Sequence, residues 1–197
     1  MTTTYDRVRE DVSNIVHLEH VNVTQPDQRL ATLFYVSGLG FTRDPYLMVG
    51  LENMWINIGR SQMHLPTNRP QRLRGTVGLV VPDLTLLNQR LVRVAPALDG
   101  TEFRFADRSA FVDVTCPWGN RFRCHAPAAE FGETELAMPY VELDVPSGSA
   151  EGIAVLCRDH GSCDHNRKPR GCDHGRDMRR PGPAFIFSRD GATASRL

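Results

Sequence analysis

Two copies of one pattern stand roughly sixty residues apart in this chain, and a repeat of that length makes each copy a supersecondary unit that buries its apolar face against the other. The first copy opens with the alternating stretch His20-Val21-Asn22-Val23 and continues through Pro26-Asp27 as a helix start. Leu30, Leu33 and Phe34 then recur at helical spacing until Gly38 and Gly40 end the helix. Short strands are predicted at residues 46–49, 54–58 and 61–65, with turn residues between them. The second copy keeps the order. Thr76-Val77-Gly78-Leu79-Val80-Val81 leads through Pro82-Asp83 into a helix with Leu84, Leu87, Leu91 and Val94 on one stripe, followed by strands at 102–105, 111–115 and 121–125. His20 and Thr76 each stand seven residues before an aspartate, and Met63-His64-Leu65-Pro66 corresponds to Cys124-His125-Ala126-Pro127. The spacing predicts an α+β chain of two βαβββ units.

Three pieces carry a family likeness: the opening His20-Val21-Asn22-Val23, the helix exit from Leu33-Phe34-Tyr35 to Gly38-Leu39-Gly40-Phe41, and the turn Pro117-Trp118-Gly119-Asn120. In these the chain resembles the vicinal-oxygen-chelate superfamily of glyoxalases, bleomycin-resistance proteins and extradiol dioxygenases. The resemblance covers a little over half the chain and implies a paired domain at residues 17–127, with tandem modules forming a curved mixed sheet around a cavity. It also implies a small-molecule ligand and, as in many of the family's enzymes, a divalent metal.

Strand alternation predicts which side chains face that cavity, because successive residues point to opposite faces. Val21, Val23, Ile56, Ile58, Val77, Leu79, Val112 and Val114 form the set expected under the helices. The opposite parity gives the expected ligand-binding face: Asn22, Trp55, Asn57, Gln62, Thr76, Phe111, Asp113 and Arg123, with His20, His64 and His125 among them. Polar groups converging beside aromatic walls suit a small-molecule site.

By resemblance, the family's metal ligands fall on the first strand and the last strand of each module. His20 and His64 fill them in the first module, whereas the second has Thr76 and Arg123. A hydroxyl is a poor ligand and a guanidinium cannot coordinate at all. His125, two residues beyond Arg123, completes a candidate set of His20, His64 and His125 for Fe, Zn, Mn or Ni, and is also the candidate catalytic acid or base. Arg123 has a second use as a clamp on a carboxylate or phenolate, or Arg121 and Arg123 are both solvated at a strand end, with Asp113 able to pair with either.

The remaining sequence sets bounds. A formal net charge of +0 gives no electrostatic argument for nucleic acid or an anionic membrane, so the expected partner is a small molecule, with a homodimer as a further expectation. Residues 1–16 form a polar extension without a basic lead into an apolar run, and no stretch is long enough to span a bilayer, so a cytoplasmic location is expected. Five cysteines without a secretion signal are expected to be reduced, with Cys116 and Cys124 as small buried hydrophobes.

After a linker at 128–138, residues 139–156 look like the first strand and helix start of a third module. Residues 157–197 are expected to be an irregular tail. The tail's Cys157, His160, Cys163, His165, Cys172 and His174 are zinc-ligand types at spacings that match no zinc motif. A single lysine, Lys168, among many arginines suggests a GC-rich gene, and reading one nucleotide forward near Ile153 is compatible with third-module residues at several positions. A frameshifted reading of that module is therefore a competing explanation of the tail, which sequencing the gene around Ile153 would test.

Two function classes follow. One is a metal-dependent dioxygenase or glyoxalase-type lyase, in which the ion polarises adjacent substrate oxygens. The other is a ligand-sequestering protein, similar to bleomycin-resistance proteins, or an inactive truncated product.

Overall fold

A computed structural model of the chain describes residues 18–47, 50, 52–132, 134–150, 152–153 and 184–189. The expectations for residues 1–16 and for the cysteines and histidines of 157–174 lie outside the described residues.

The first module runs β1 (His20–Asn22), α1 (Gln28–Ala31), β2 (Thr42–Arg43), β3 (Asn53–Ile58) and β4 (Ser61–Pro66). Asp27 starts its helix as read from the sequence, its carboxylate accepting from the backbone N–H groups of Arg29 and Leu30 at 2.7 and 3.0 Å. Beyond Ala31 the helix widens into a π-helical stretch, Thr32–Gly38, where Leu39 N–H donates to the Phe34 carbonyl at 2.9 Å. The wider turn brings the neighbours Phe34 and Tyr35 into the core together. The expected strand at 46–49 is corrected at its first two residues, the other two lying outside the described residues. Tyr46 and Leu47 lie in a bend whose N–H groups donate to Asp44 Oδ1 at 2.8 and 3.0 Å, and the edge strand forms earlier, as β2. A short side chain that bonds the backbone two residues on competes with strand pairing.

The second module repeats this layout as β5 (Gly75–Val80), α2 (Leu84–Val94), β6 (Arg104–Asp107), β7 (Phe111–Thr115) and β8 (Arg121–His125). Asp83 caps α2 as Asp27 caps α1. Strand order is β1-β4-β3-β2 in one sheet and β5-β8-β7-β6 in the other, with the first strand parallel to the last in each module and the other pairs antiparallel. The two mixed sheets and their helices make the α+β fold expected from the repeat.

The apolar parity set is buried, apart from Val21, which packs against the core at its margin. The modules share one core: Phe34 and Tyr35 each place a ring 5.9 Å from Phe122, and a Cβ at Gly38 would stand 3.2 Å from Val94 Cγ2. Each fully buried Phe or Leu in such a core contributes on the order of 1.5–3 kcal/mol, which holds the two modules against each other. Asn120, in the turn between β7 and β8, is buried and ties down the connection between modules. Its Oδ1 accepts from Leu73 N–H at 2.8 Å and its Nδ2 donates to the Gln71 carbonyl at 2.9 Å.

Two further strands extend the second sheet. β9 (Ala137–Val145) pairs antiparallel with β5, and β10 (Ala184–Arg189) pairs parallel with β9, giving the order β10-β9-β5-β8-β7-β6. The strand expected at the start of a third module thus pairs within its own chain. β10 falls inside the stretch expected to be irregular and corrects that expectation for residues 184–189. Pairing is non-local, so strand propensity in that stretch could not by itself reveal a partner. With β8 on one side and β9 on the other, every residue of β5 is buried.

Candidate functional site

On each sheet, the face turned away from the helices carries the side chains singled out by alternation, and they form two clusters. In the first module the Trp55 and His64 rings stack at 4.0 Å and 13°, and the His20 ring stands edge-on to Trp55 at 5.2 Å and to His64 at 6.3 Å. The register explains the grouping, because Trp55 pairs with His64, and Asn22 with His64, across neighbouring strands. His64 Nε2 donates to Asn53 Oδ1 at 2.6 Å. Gln62 Nε2 donates to Asn57 Oδ1 at 2.7 Å and to Asp44 Oδ2 at 3.0 Å. His20 Nδ1 hydrogen-bonds the Glu19 carboxylate.

Electrostatics on this face are mild. Burial, and then the neighbouring His20, hold the His64 imidazole below its ordinary value, which favours its neutral form. The backbone N–H groups of Tyr46 and Leu47 hold the Asp44 carboxyl below the usual carboxylate range.

The second cluster joins β7, β8 and β9. Arg123 Nε donates to Asp113 Oδ1 at 3.1 Å, its guanidinium lies over the Phe111 ring at 4.7 Å, and its Nη1 stands 4.0 Å from Glu142 Oε2. Arg108 Nε lies 3.5 Å from the other Asp113 oxygen. His125 is only 7% exposed, with the rings of Phe131, Phe111 and Tyr140 at 4.8, 5.9 and 5.9 Å, and its Nε2 shares a 2.9 Å hydrogen bond with the Tyr140 hydroxyl. Burial pushes the Tyr140 hydroxyl up to about 12, so it stays protonated. Thr76 is buried on β5, opposite Glu142 on β9. Arg121 does not join this cluster; it pairs with Asp144 and donates to the Gly75 carbonyl at 3.0 Å.

Several sequence expectations change here. His20 and His64 come together, but His125 is engaged in the other cluster. Among the described residues no three His, Cys, Asp or Glu side chains group so as to hold a metal ion. His20 and His64 on the first-module face and His125 beside Tyr140 do not converge, and Thr76 and Arg123 occupy the remaining positions, so the three histidines expected as one ligand set do not form one. Arg123 is partly exposed and pairs with Asp113, with Glu142 at 4.0 Å.

Sequence reasoning missed Asn53, Asp44, Phe131, Tyr140 and Glu142. Asn53 has the same parity as Trp55 and was legible in principle. The others depend on a loop or on the pairing of β9 with β5.

These two layouts define a protein of the paired βαβββ class. Its fold is that of the glyoxalase/bleomycin resistance/dioxygenase superfamily, as the sequence resemblance implied. A "putative dioxygenase" from Bacillus subtilis matches with a TM-score of 0.52 at 12% identity, over 79% of this chain and 58% of that one. A "putative glyoxalase family protein" from Bacillus anthracis matches at 20% identity and a TM-score of 0.42, over 64% of this chain and 98% of that one. A glyoxalase/bleomycin resistance protein/dioxygenase family enzyme from Burkholderia phytofirmans matches at 16% identity and a TM-score of 0.42, over 56% and 98%. No family model matches the sequence, and no curated relative does. No helix among the described residues is long and apolar enough to cross a membrane.

Proposed function

We propose that this chain binds a small aromatic or oxygen-rich molecule on the open face of its first module, as a metal-independent binding protein. The observation that carries this reading is the Trp55–His64 stack with His20 edge-on, partly exposed on a sheet face where a purely structural strand pair would bury apolar side chains or present solvated ones. A flat aromatic platform gives a ring-shaped ligand a large contact area at low conformational cost, and the surrounding amides fix its orientation. The binding class is favoured over a metal-dependent dioxygenase or lyase because Thr76 and Arg123 stand at two of the expected ligand positions and His125 lies with Tyr140, away from His20 and His64.

The test is a titration of Trp55 fluorescence with single-ring aromatic compounds in a Trp118→Phe background, which leaves Trp55 as the one tryptophan. Saturable quenching that disappears with His20→Ala and His64→Ala supports the reading. Metal analysis of the purified protein runs beside it: stoichiometric metal that is lost in His20→Ala would return the chain to the metalloenzyme class.

A further inference from the structure

Both modules set an aromatic ring opposite a histidine on the face turned away from the helices, and His64 and His125 correspond in the repeat. Trp55 faces His64 across β3 and β4, and Phe111 faces His125 across β7 and β8. The first pair is stacked and partly exposed. The second is tilted at 5.9 Å, and its histidine is covered by two rings of the same chain: Phe131 at 4.8 Å, and Tyr140, whose hydroxyl is bonded to His125 Nε2. One covering ring is built in and the other is not. Tyr140 lies within β9 and is buried, whereas Phe131 comes from a short 3-10 turn, Ala129–Phe131, and is partly exposed.

We propose that the Phe131 position is a second binding site, for a small apolar aromatic ring, which the free chain fills with its own side chain. The turn that carries Phe131 is lightly held. Residues 126–130 are all exposed, and the N-cap of the turn makes no side-chain hydrogen bond. Its backbone bonds run from Phe131 N–H to the Ala128 carbonyl at 3.0 Å and from Gly132 N–H to the Ala129 carbonyl at 3.2 Å. A segment with exposed backbone bonds and little buried surface opens at small cost. A free ring that replaces Phe131 regains its contact with His125, and has to overcome the advantage that tethering gives the resident ring. His125 Nε2 is bonded to the Tyr140 hydroxyl and Arg123 to Asp113, so an apolar ring enters without stripping either bond. A charged ring would lose hydration that the His125 and Phe111 rings do not replace. The first-module face plays no part in this site.

The test titrates toluene into the full chain carrying a fluorine on the Phe131 ring, read by fluorine NMR. The probe is expected to move the fluorine resonance saturably from its packed position toward that of a solvent-exposed ring. The fluorine reports Phe131 alone, so probe bound on the first-module face does not register. Phe131→Ala, which removes the competitor, is expected to bind toluene about tenfold or more tighter than the unaltered chain, measured by calorimetry. A resonance that stays at its packed position up to the solubility limit of toluene overturns the proposal, even if Phe131→Ala takes up the ring, because a deleted phenyl side chain leaves an apolar space that any such ring fills. Release of Phe131 without tighter binding in Phe131→Ala also overturns it, since the probe would then act from another place.

Discussion

The Tyr140 hydroxyl meets His125 Nε2 at 2.9 Å although the two residues belong to strands that are not neighbours. Tyr140 is on β9, His125 on β8, and β5 runs between them, so the tyrosine ring must lie across β5 to make the contact. It does so over Gly78, where any Cβ would run into the ring. A glycine in the middle of a fully buried strand is thus a notch for one particular side chain.

Gly78→Ala is expected to destabilise the fold by about 1–3 kcal/mol through overpacking. Adding Tyr140→Ala should relieve the clash, so the double variant should be more stable than the two single effects predict. Urea midpoints of the four proteins measure the coupling. Additive losses would mean that the ring does not rest on residue 78.

Asn120 presents a simpler case. Replacement by Ala leaves Leu73 N–H and the Gln71 carbonyl without their partners beneath a buried turn. The expected cost is about 1–3 kcal/mol for the buried groups left unsatisfied, with Asn120→Asp intermediate because it keeps the acceptor and loses the donor. Equilibrium unfolding checks the order of the three proteins.

His64 should make stability depend on pH. Its folded-state value lies below the ordinary 6.5, so as pH falls below that value the unfolded chain takes up a proton that the folded chain resists. Its contribution is complete above the ordinary value and lost progressively as pH falls toward the folded one. His64→Gln should lower the stability difference between about pH 7.5 and about pH 5, a comparison that isolates this imidazole from the other histidines. An unchanged pH profile would contradict the assignment.

Cys116 and Cys124 are both buried with free thiols, and burial pushes Cys124 up to about 12. Because the thiolate is the reactive form, neither should be alkylated in the folded protein, and both should be after denaturation. Mass spectrometry of the peptides that contain them distinguishes these two from the other cysteines.

Much of this was written locally. Alternation at 54–58, 61–65, 111–115 and 121–125 placed the two faces, and Asp27 and Asp83 marked the helix starts, because each is set by a backbone period or a single capping group. No strand forms at Tyr46 and Leu47 because the Asp44 side chain recruits the N–H groups that a strand would use.

By itself the sequence determined that the chain repeats a βαβββ unit, and that His20, Trp55, Asn57, Gln62 and His64 share a face, since both follow from periodicity along the chain. Only the tertiary structure decided which of those groups remain available. Whether His125 is a cavity residue or lies sealed under Tyr140 and Phe131, and whether Arg123 has Glu142 near it besides Asp113, depends on β9 pairing with β5. Strand pairing joins segments far apart in sequence, and the side chains that arrive with the partner strand leave no mark on the strand that receives them.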